Sequence, residues 1–201
     1  MIPVSEGEQD GRLLRGARSR QTVVRHAVDV ASVDGLDGLS FGRLAADLGI
    51  SKAGIQTLFG TKENLQLAVG EGARELFAEA VLRPAANQPP GLSRLTALIE
   101  RWLDYAGKPL FPGGCFWAAN LPVFDSKPGP VRDLLVRQQQ AWRELLAGEL
   151  RHIAEIDAEI TAFQIDAVLT AANIALRLGD HAAADTARRT VERLLPERTA
   201  G

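Results

Sequence analysis

The chain has 201 residues, of which 46% are hydrophobic and 24% charged, so it can bury a core in one or two small domains. Its single cysteine excludes an intramolecular disulfide and suits a reducing compartment. A formal net charge of -2 and a pI of about 6.0 exclude a uniformly basic protein, so any contact with a polyanion must be local.

The N-terminal part of the chain is predicted to be a polar tail over residues 1–16, followed by a helix from about Arg18 to Val33. Its first ten residues, MIPVSEGEQD, lack the basic and apolar regions of a signal segment. No apolar run in the chain approaches the ~20 residues of a membrane span. We therefore expect a cytoplasmic protein with no membrane partner.

Basic residues are concentrated near this end. From Arg12 to Lys62 there are eight basic and four acidic residues, a balance of +4, which leaves -6 for the remainder. A locally basic segment is what a DNA contact requires, because the phosphates under the footprint must be neutralised. Arg18 and Arg20 therefore suggest a DNA-contacting arm, with a disordered tail or a solvated helix face as the alternative.

Residues 40–65, SFGRLAADLGISKAGIQTLFGTKENL, predict two short helices joined by a glycine turn and followed by a third helix. Ser40, Ser51 and Thr61 stand at N-cap positions, and Gly49 ends the first helix. The first two helices each have one apolar face, formed by Phe41, Leu44, Ala45 and Leu48 and by Ile55 and Phe59. Three caps so close together indicate a compact three-helix unit, the outline of a DNA-reading helix-turn-helix.

The motif also points to a family. The succession of Leu44-Ala45, Gly49-Ile50-Ser51-Lys52, Phe59, Lys62-Glu63 and Leu65 resembles the N-terminal domain of TetR-family transcriptional repressors. The resemblance runs from about Ser19 to Val69. It implies an all-α fold, with an N-terminal three-helix helix-turn-helix DNA-binding domain and a C-terminal helical domain for ligand binding and dimerisation. Gln56 and Leu58 depart from the family, which usually has tyrosine and often histidine at these positions.

The helix that begins at Lys52 is predicted to lie in the major groove of operator DNA. Lys52 and Gln56 carry groups suited to guanine and adenine edges, Ala53 suits a thymine methyl, and Gly54 permits close backbone approach. Ser40, Thr57 and Lys62 are better placed for phosphates, with capping alone as the alternative for Ser40 and an ordinary exposed lysine as the alternative for Lys62. The residues predicted to bind DNA are Arg18, Arg20, Ser40, Gly42, Arg43, Lys52, Ala53, Gly54, Gln56, Thr57, Leu58 and Lys62.

The rest of the chain is predicted to be helical. A helix from Lys62 to about Leu82 ends before Arg83-Pro84, and the AANQPPG segment after it is a loop or hinge. The helices predicted beyond this loop are Leu92–Ala106, Cys115–Val123, Pro130–Ile156, Ala158–Leu178 and Ala182–Leu195. The predicted domains are residues 17–65 for DNA binding and 66–196 for regulation and dimerisation, with a tail over 197–201.

Most of the aromatic residues crowd into the regulatory domain around a Pro-Gly-Gly-Cys segment, where they predict either a plain core or a pocket for an unidentified small molecule. Asn120, Gln139 and Asn173 are candidate polar groups for such a pocket. The predicted pocket residues are Trp102, Tyr105, Cys115, Phe116, Trp117, Asn120, Phe124, Trp142 and Asn173.

The last two predicted helices each carry an alanine-rich apolar stripe. By resemblance to the family, these two helices form a four-helix interface in a homodimer, whereas the alternative is that they close the core of a single chain. A two-fold pair of helix-turn-helix units reads a palindrome, which favours the dimer. The predicted interface residues are Ile165, Val168, Leu169, Ala172, Ala175, Leu176, Ala183, Ala187, Val191 and Leu194.

Two other classes of function compete with this interpretation. An enzyme or redox sensor would use Cys115 as its thiol, but a small buried hydrophobe is the simpler role for that residue. His26, His152 and His181 lack metal-ligand spacing, and neither a GxGxxG motif nor a P-loop occurs, so we expect no metal, no cofactor and no enzymatic activity. The second competitor is a helical adaptor that docks protein, which salt-dependent binding to duplex DNA would exclude.

Overall fold

A computed structural model describes residues 6–108 and 110–196, and it describes side chains from Gly16 onward. Ten α-helices and no strand occur in these residues, which confirms the all-α prediction. The helices are α1 (Glu6–Asp34), α2 (Phe41–Leu48), α3 (Lys52–Phe59), α4 (Lys62–Phe77), α5 (Arg83–Ala85), α6 (Leu92–Gly107), α7 (Phe116–Phe124), α8 (Pro130–Leu150), α9 (Ala158–Arg177) and α10 (Ala183–Leu194).

Three helix ends lie more than one residue from their predicted positions, and two of them are the start of α1 and the end of α8. Helix α1 begins at Glu6 instead of Arg18, because the glutamate, glutamine, leucine and arginine residues of this segment are good helix formers. Helix α8 ends at Leu150 instead of Ile156. The chain reverses at Glu155, whose φ is 64°, and Asp157 then caps α9 by accepting a 3.0 Å hydrogen bond from the Ile160 N–H. The first five residues of the tail predicted over 1–16, and the tail predicted over 197–201, lie outside the described residues.

The helix predicted to stop before Arg83 instead continues past it. A π-helical segment, Ala78–Leu82, joins α4 directly to α5, which contains Pro84. Proline lacks the N–H that an α-helix needs, and its ring crowds the carbonyl four residues earlier. A π-helical turn is wider and bonds five residues back, so it accommodates the proline without ending the helix.

The helices form two groups that share one hydrophobic core. In the N-terminal group α1 packs against α2 and α3, and in the C-terminal group α9 packs against α6, α8 and α10. Helices α4 and α7 connect the groups, because α4 packs on both α1 and α8 while α7 packs on the same two helices.

Helix α9 is long and apolar enough to cross a membrane by length and composition alone, contrary to the expectation that no such segment exists. Its inner face nevertheless packs against the three helices around it, as a core helix does.

Candidate DNA interface and ligand cavity

The three N-caps predicted for the helix-turn-helix are present. Ser40 Oγ accepts a hydrogen bond from the Arg43 N–H at 3.1 Å, Ser51 Oγ from Gly54 at 3.0 Å and Thr61 Oγ1 from Asn64 at 3.1 Å. Gly49, which ends α2, has a left-handed φ of 65°. Because each cap is made by local residues, the sequence alone defines where α2, α3 and α4 begin.

Helix α3 separates a buried face from a polar exposed one. Ile55 and Phe59 are buried against the rest of the three-helix unit. On the opposite side Lys52 and Gln56 are exposed, and their side chains form no hydrogen bond or ion pair with the described residues. The other exposed residues of this helix are Ala53, Gly54 and Thr57. A free ammonium and a free amide one helical turn apart form a surface that can read base edges.

Several predicted DNA contacts already have intramolecular partners. Arg43 pairs with Asp34 at 2.7 Å, and Asp47 lies 3.9 Å from the same guanidinium. Arg20 lies 4.5 Å from the centre of the Phe59 ring and donates a 3.3 Å hydrogen bond to the Leu58 carbonyl. These contacts join α1 to α2 and to α3, so both arginines stabilise helix packing while they remain exposed at the surface.

Three other predicted contact residues are positioned by hydrogen bonds to the backbone or by packing. Lys62 Nζ donates to the Asp37 carbonyl at 2.6 Å, and this neutral acceptor does not cancel the positive charge of the ammonium. Thr57 Oγ1 donates to the Ala53 carbonyl at 2.9 Å. Leu58 is half-buried against the core, whereas Gly42 is exposed. Arg18, an exposed residue of α1, has no described side-chain partner.

The C-terminal helices enclose a cavity of about 340 Å³. Four aromatic side chains line it, and they come from three sequence-distant helices and from the end of α4. Phe77 is central to this group, with its ring centroid 5.2 Å from that of Trp117 and 5.7 Å from that of Trp142 in edge-on contacts. Such contacts fix ring orientation as well as contributing apolar area. Leu82, from the π-helical segment, also lines the cavity.

Only some of the residues predicted for the pocket lie at this cavity. Trp102, Cys115, Trp117, Trp142 and Gln139 line the cavity. Tyr105, Phe116, Asn120, Phe124 and Asn173 are buried but do not line it. Tyr105 accepts the Phe116 N–H at 3.1 Å and Asn173 accepts the Cys115 N–H at 3.0 Å, so these two polar groups satisfy the backbone at the start of α7.

Sequence reasoning missed several lining residues. Phe77 was missed because it lies on α4, outside the aromatic cluster, and Asp166 because it interrupts the apolar sequence of α9. An acidic residue within an apolar stretch was the feature of the sequence that could have identified Asp166 as a pocket residue. The lining residues that were not predicted are Arg74, Phe77, Leu82, Ala118, Leu121, Pro122, Gln138, Ala141, Leu145, Asp166, Thr170 and Ile174.

Asp166 is the one carboxylate among the described residues that line the cavity. Its Oδ2 accepts a 2.8 Å hydrogen bond from Gln139 Nε2. Burial raises the pKa of this carboxyl, while the charge of Arg143 and the hydrogen bonds from Gln139 and Trp142 oppose that rise. The surrounding protein therefore offsets only part of the free-energy cost of removing this carboxylate from water.

The thiol of Cys115 is buried at the N-terminus of α7. Burial raises its pKa, and hydrogen bonds from the Tyr105 hydroxyl and from the backbone of Ala118 and Trp117 lower it by less. The histidines do not supply a base to it, because His26 pairs with Asp47 at 2.9 Å on the N-terminal helices, while His152 and His181 are exposed. These features describe a neutral thiol in a core position.

Helix α7 connects the cavity to the helix-turn-helix. One side of α7 supplies Trp117 and Leu121 to the cavity wall. From its other side the fully buried Asn120 accepts the Leu36 N–H at 2.7 Å and donates to the Ala31 carbonyl at 3.2 Å. Leu36 belongs to the turn between α1 and α2, so a helix that lines the cavity is hydrogen-bonded directly to the unit that contains the helix-turn-helix.

A second contact brings the loop before α7 against α1. The Gly113 N–H donates to Ser32 Oγ at 2.9 Å. A Cβ built at position 113 would lie 1.7 Å from the Ser32 carbonyl oxygen, so only glycine allows this approach. Lys127 also forms an ion pair with Asp37 in the turn that Asn120 holds.

The predicted dimer stripes do not face outward. Side chains of α9 and α10 in these stripes are buried within a single chain because they pack between the two helices and against α6, and for them the prediction requires correction. The buried members are Ile165, Leu169, Ala172, Ala183, Ala187 and Val191, and the half-buried members are Val168, Ala175, Leu176 and Leu194.

Helix α9 has a second apolar stripe on its opposite face. The relative exposures are 58% for Ile160, 60% for Phe163, 53% for Ile174 and 82% for Leu178. The spacing of these residues, together with exposed Ala167 and Ala171, follows one side of the helix. The described residues of this chain leave that face uncovered.

The C-terminal domain also matches a known family. A model of the tetracyclin repressor-like C-terminal domain matches residues 91–191, which is half of the chain. The chain belongs to the TetR family. Membership makes it a DNA-binding, ligand-responsive transcriptional regulator and confirms the resemblance found in the N-terminal motif. No curated protein matches the chain.

Solved structures of TetR-family regulators share the fold along almost the whole chain. A regulator from Chloroflexus aurantiacus is 24% identical, with a TM-score of 0.81 over 89% of this chain and 94% of that one. A regulator from Streptomyces coelicolor is 18% identical, with a TM-score of 0.76 over 90% and 94%. AibR, solved with isovaleryl coenzyme A and operator DNA, is 17% identical, with a TM-score of 0.67 over 88% and 98%.

Proposed function

We propose that this TetR-family protein is a repressor that binds a palindromic operator through α3 and leaves it when a small molecule fills the cavity. The observation that carries the proposal is the exposed face of α3, which has no side-chain partner among the described residues and holds Lys52 and Gln56 one turn apart on a helix fixed by its cap. A cytoplasmic location and the absence of enzymatic activity are part of the proposal, and the raised pKa of Cys115 argues against a thiol enzyme.

The active form in this proposal is a homodimer. One helix-turn-helix reads few base pairs, whereas a two-fold pair reads two half-sites one helical repeat apart. The exposed stripe of α9 supports a self-complementary interface because contiguous apolar surface on a soluble chain marks a contact site. We place the interface on this face, from Ile160 to Leu178, instead of on the buried stripe.

The proposed route from ligand to DNA runs through α7. A ligand that displaces Trp117 and Leu121 shifts the helix that also carries Asn120, and Asn120 holds the turn between α1 and α2. The spacing of the two α3 helices in the dimer then changes. Because half-sites on B-DNA have a fixed separation, the ligand selects a conformation that binds the operator poorly.

The test is fluorescence anisotropy of labelled duplex DNA from beside the protein's own gene, at several salt concentrations. We expect tight, salt-sensitive binding by wild type and loss of specific binding when Lys52→Ala and Gln56→Ala are combined. Removing each base contact should cost about 1–3 kcal/mol, and loss of the lysine should reduce the salt slope by about one. Lys108→Ala combined with Gln88→Ala is the matched control, since it removes the same groups from exposed positions outside the helix-turn-helix.

The DNA fragment beside the gene does not contain an operator that lies elsewhere in the genome. Selection of bound sequences from a random duplex library therefore complements the anisotropy measurement. If neither the fragment nor the library yields DNA that distinguishes wild type from the α3 variant, the repressor proposal is wrong and the helical adaptor replaces it.

A further inference from the structure

We propose that the cavity binds an organic cation, a small ligand with a substituted ammonium group on an apolar body. This inference rests on the proposed function, because it names the chemical class of the molecule that would release the operator. Its basis is the combination of four aromatic side chains and one half-buried carboxylate in the same cavity.

The aromatic lining suits both parts of such a ligand. Phe77, Trp102, Trp117 and Trp142 present apolar surface to a hydrocarbon body, and aromatic rings also attract a cation through their quadrupoles, most strongly in tryptophan. The volume of about 340 Å³ is at the lower end of the range for ligand pockets, which favours a compact molecule.

Asp166 decides the sign of the charge. Its carboxylate forms no ion pair with the described residues, and Arg143, which stabilises its charged form, does not line the cavity. A ligand that fills the cavity removes the remaining water from this carboxylate. A neutral or anionic ligand would leave the desolvated charge uncompensated, whereas a cation would compensate it.

The remaining polar groups of the cavity are poor receptors for an anion. Gln138 accepts the Trp117 Nε1–H at 3.0 Å and donates to the Gly70 carbonyl at 3.2 Å, so its amide is occupied. Gln139 donates to Asp166. The guanidinium of Arg74 is held by Glu71 at 2.8 Å, with Glu75 at 3.8 Å, and these two acids balance its charge.

The experiment compares three probes of similar shape: benzyltrimethylammonium, its uncharged carbon isostere neopentylbenzene, and the phenylmethanesulfonate anion. All three tryptophans of the chain line the cavity, so intrinsic fluorescence reports its occupancy directly. Hydrophobicity alone favours the neutral isostere. We expect the cation to bind at least about tenfold tighter than the isostere, and the anion to bind weakest.

Two variants test the assigned residues. Asp166→Asn keeps the shape but removes the charge, and it should weaken cation binding by about tenfold while leaving neopentylbenzene binding equal or tighter. Asp104→Asn, an exposed acid on α6, is the matched control and should leave all three affinities unchanged. Circular dichroism verifies folding, and if Asp166→Asn does not fold, Trp142→Leu replaces it and should also weaken cation binding.

Equal or weaker binding of the cation than of the isostere would overturn the inference, as would preferential binding of the anion or no binding of any probe at millimolar concentration. Operator binding measured on the same preparation separates the two proposals. Intact operator binding without a preference for the cation would contradict only this inference. A preference for the cation without any operator binding would contradict the proposal that the protein is a repressor.

Discussion

Cys115 shows how a single residue's surroundings decide its chemistry. Burial raises the pKa of its thiol, and the hydrogen bonds that favour the thiolate do not reverse this effect. At neutral pH the side chain is therefore protonated more fully than a free cysteine, so it is a weak nucleophile.

We accordingly expect Cys115 to react with a disulfide reagent at pH 7 much more slowly in the folded protein than in the same protein unfolded in urea. The rate should rise only as the pH passes above the ordinary range of a cysteine pKa, because the folded state disfavours the thiolate. The measurement is the pH profile of thiol modification. Rapid modification with an apparent pKa below the free-cysteine range would instead support a reactive thiol.

Residues whose interactions are local were the most predictable. The caps at Ser40, Ser51 and Thr61 depend on the next three residues, which the sequence displays. The partners of Arg43 were not predictable in the same way. Asp34 and Asp47 reach it only after α1 and α2 are packed, so its ion pairs are a tertiary result.

At the scale of one helix, α9 explains why the predicted dimer residues lie on a face that the same chain covers. Its sequence contains two apolar stripes, and periodicity identifies both without saying which one meets α6, α8 and α10. In one stripe Ile165 and Leu169 are fully buried, whereas in the other Phe163 and Leu178 are exposed. Which stripe is internal depends on the arrangement of the surrounding helices.

The two stripes predict opposite effects of the same kind of substitution. Phe163→Glu combined with Leu178→Glu should convert a dimer to a folded monomer, because charges on an apolar interface oppose association. Ile165→Glu should instead reduce the free energy of unfolding by roughly 4 kcal/mol, because it buries an unpaired charge. Light scattering after size exclusion and thermal melts separate the two results.

Val33→Glu is the matched control for these substitutions, since Val33 is 59% exposed but lies on α1, away from the stripe. It should change neither the mass nor the melt. A dimer that persists with glutamates at both stripe positions would show that the chain associates through another surface.

For the whole molecule, the important feature is that two helices, α4 and α7, connect the cavity to the helix-turn-helix. Helix α4 begins at the predicted phosphate contact Lys62 and ends at the cavity residue Phe77, and α7 lines the cavity while Asn120 holds the turn before α2. The order of the domains was predictable, because the capped motif and the helical remainder are separate in sequence. The coupling was not, since Asn120 was predicted to bind ligand and its partners are 84 and 89 residues away in the chain.

Asn120→Ala tests this coupling. It leaves the Leu36 N–H and the Ala31 carbonyl without their buried partner, which should cost about 1–3 kcal/mol of stability. Hydrogen exchange should accelerate at the turn between α1 and α2, and operator affinity should fall because the position of α2 and α3 is less well defined.

Asn173→Ala is the comparison variant. It removes the buried hydrogen bond to the Cys115 N–H, a contact between α9 and the start of α7 that does not touch the helix-turn-helix. Both variants should lose stability, but only Asn120→Ala should lose operator affinity. Equal affinity in the two variants would mean that Asn120 stabilises the fold without transmitting the state of the cavity. The connection between the ligand and the DNA would then run through α4 or through the Gly113–Ser32 and Lys127–Asp37 contacts.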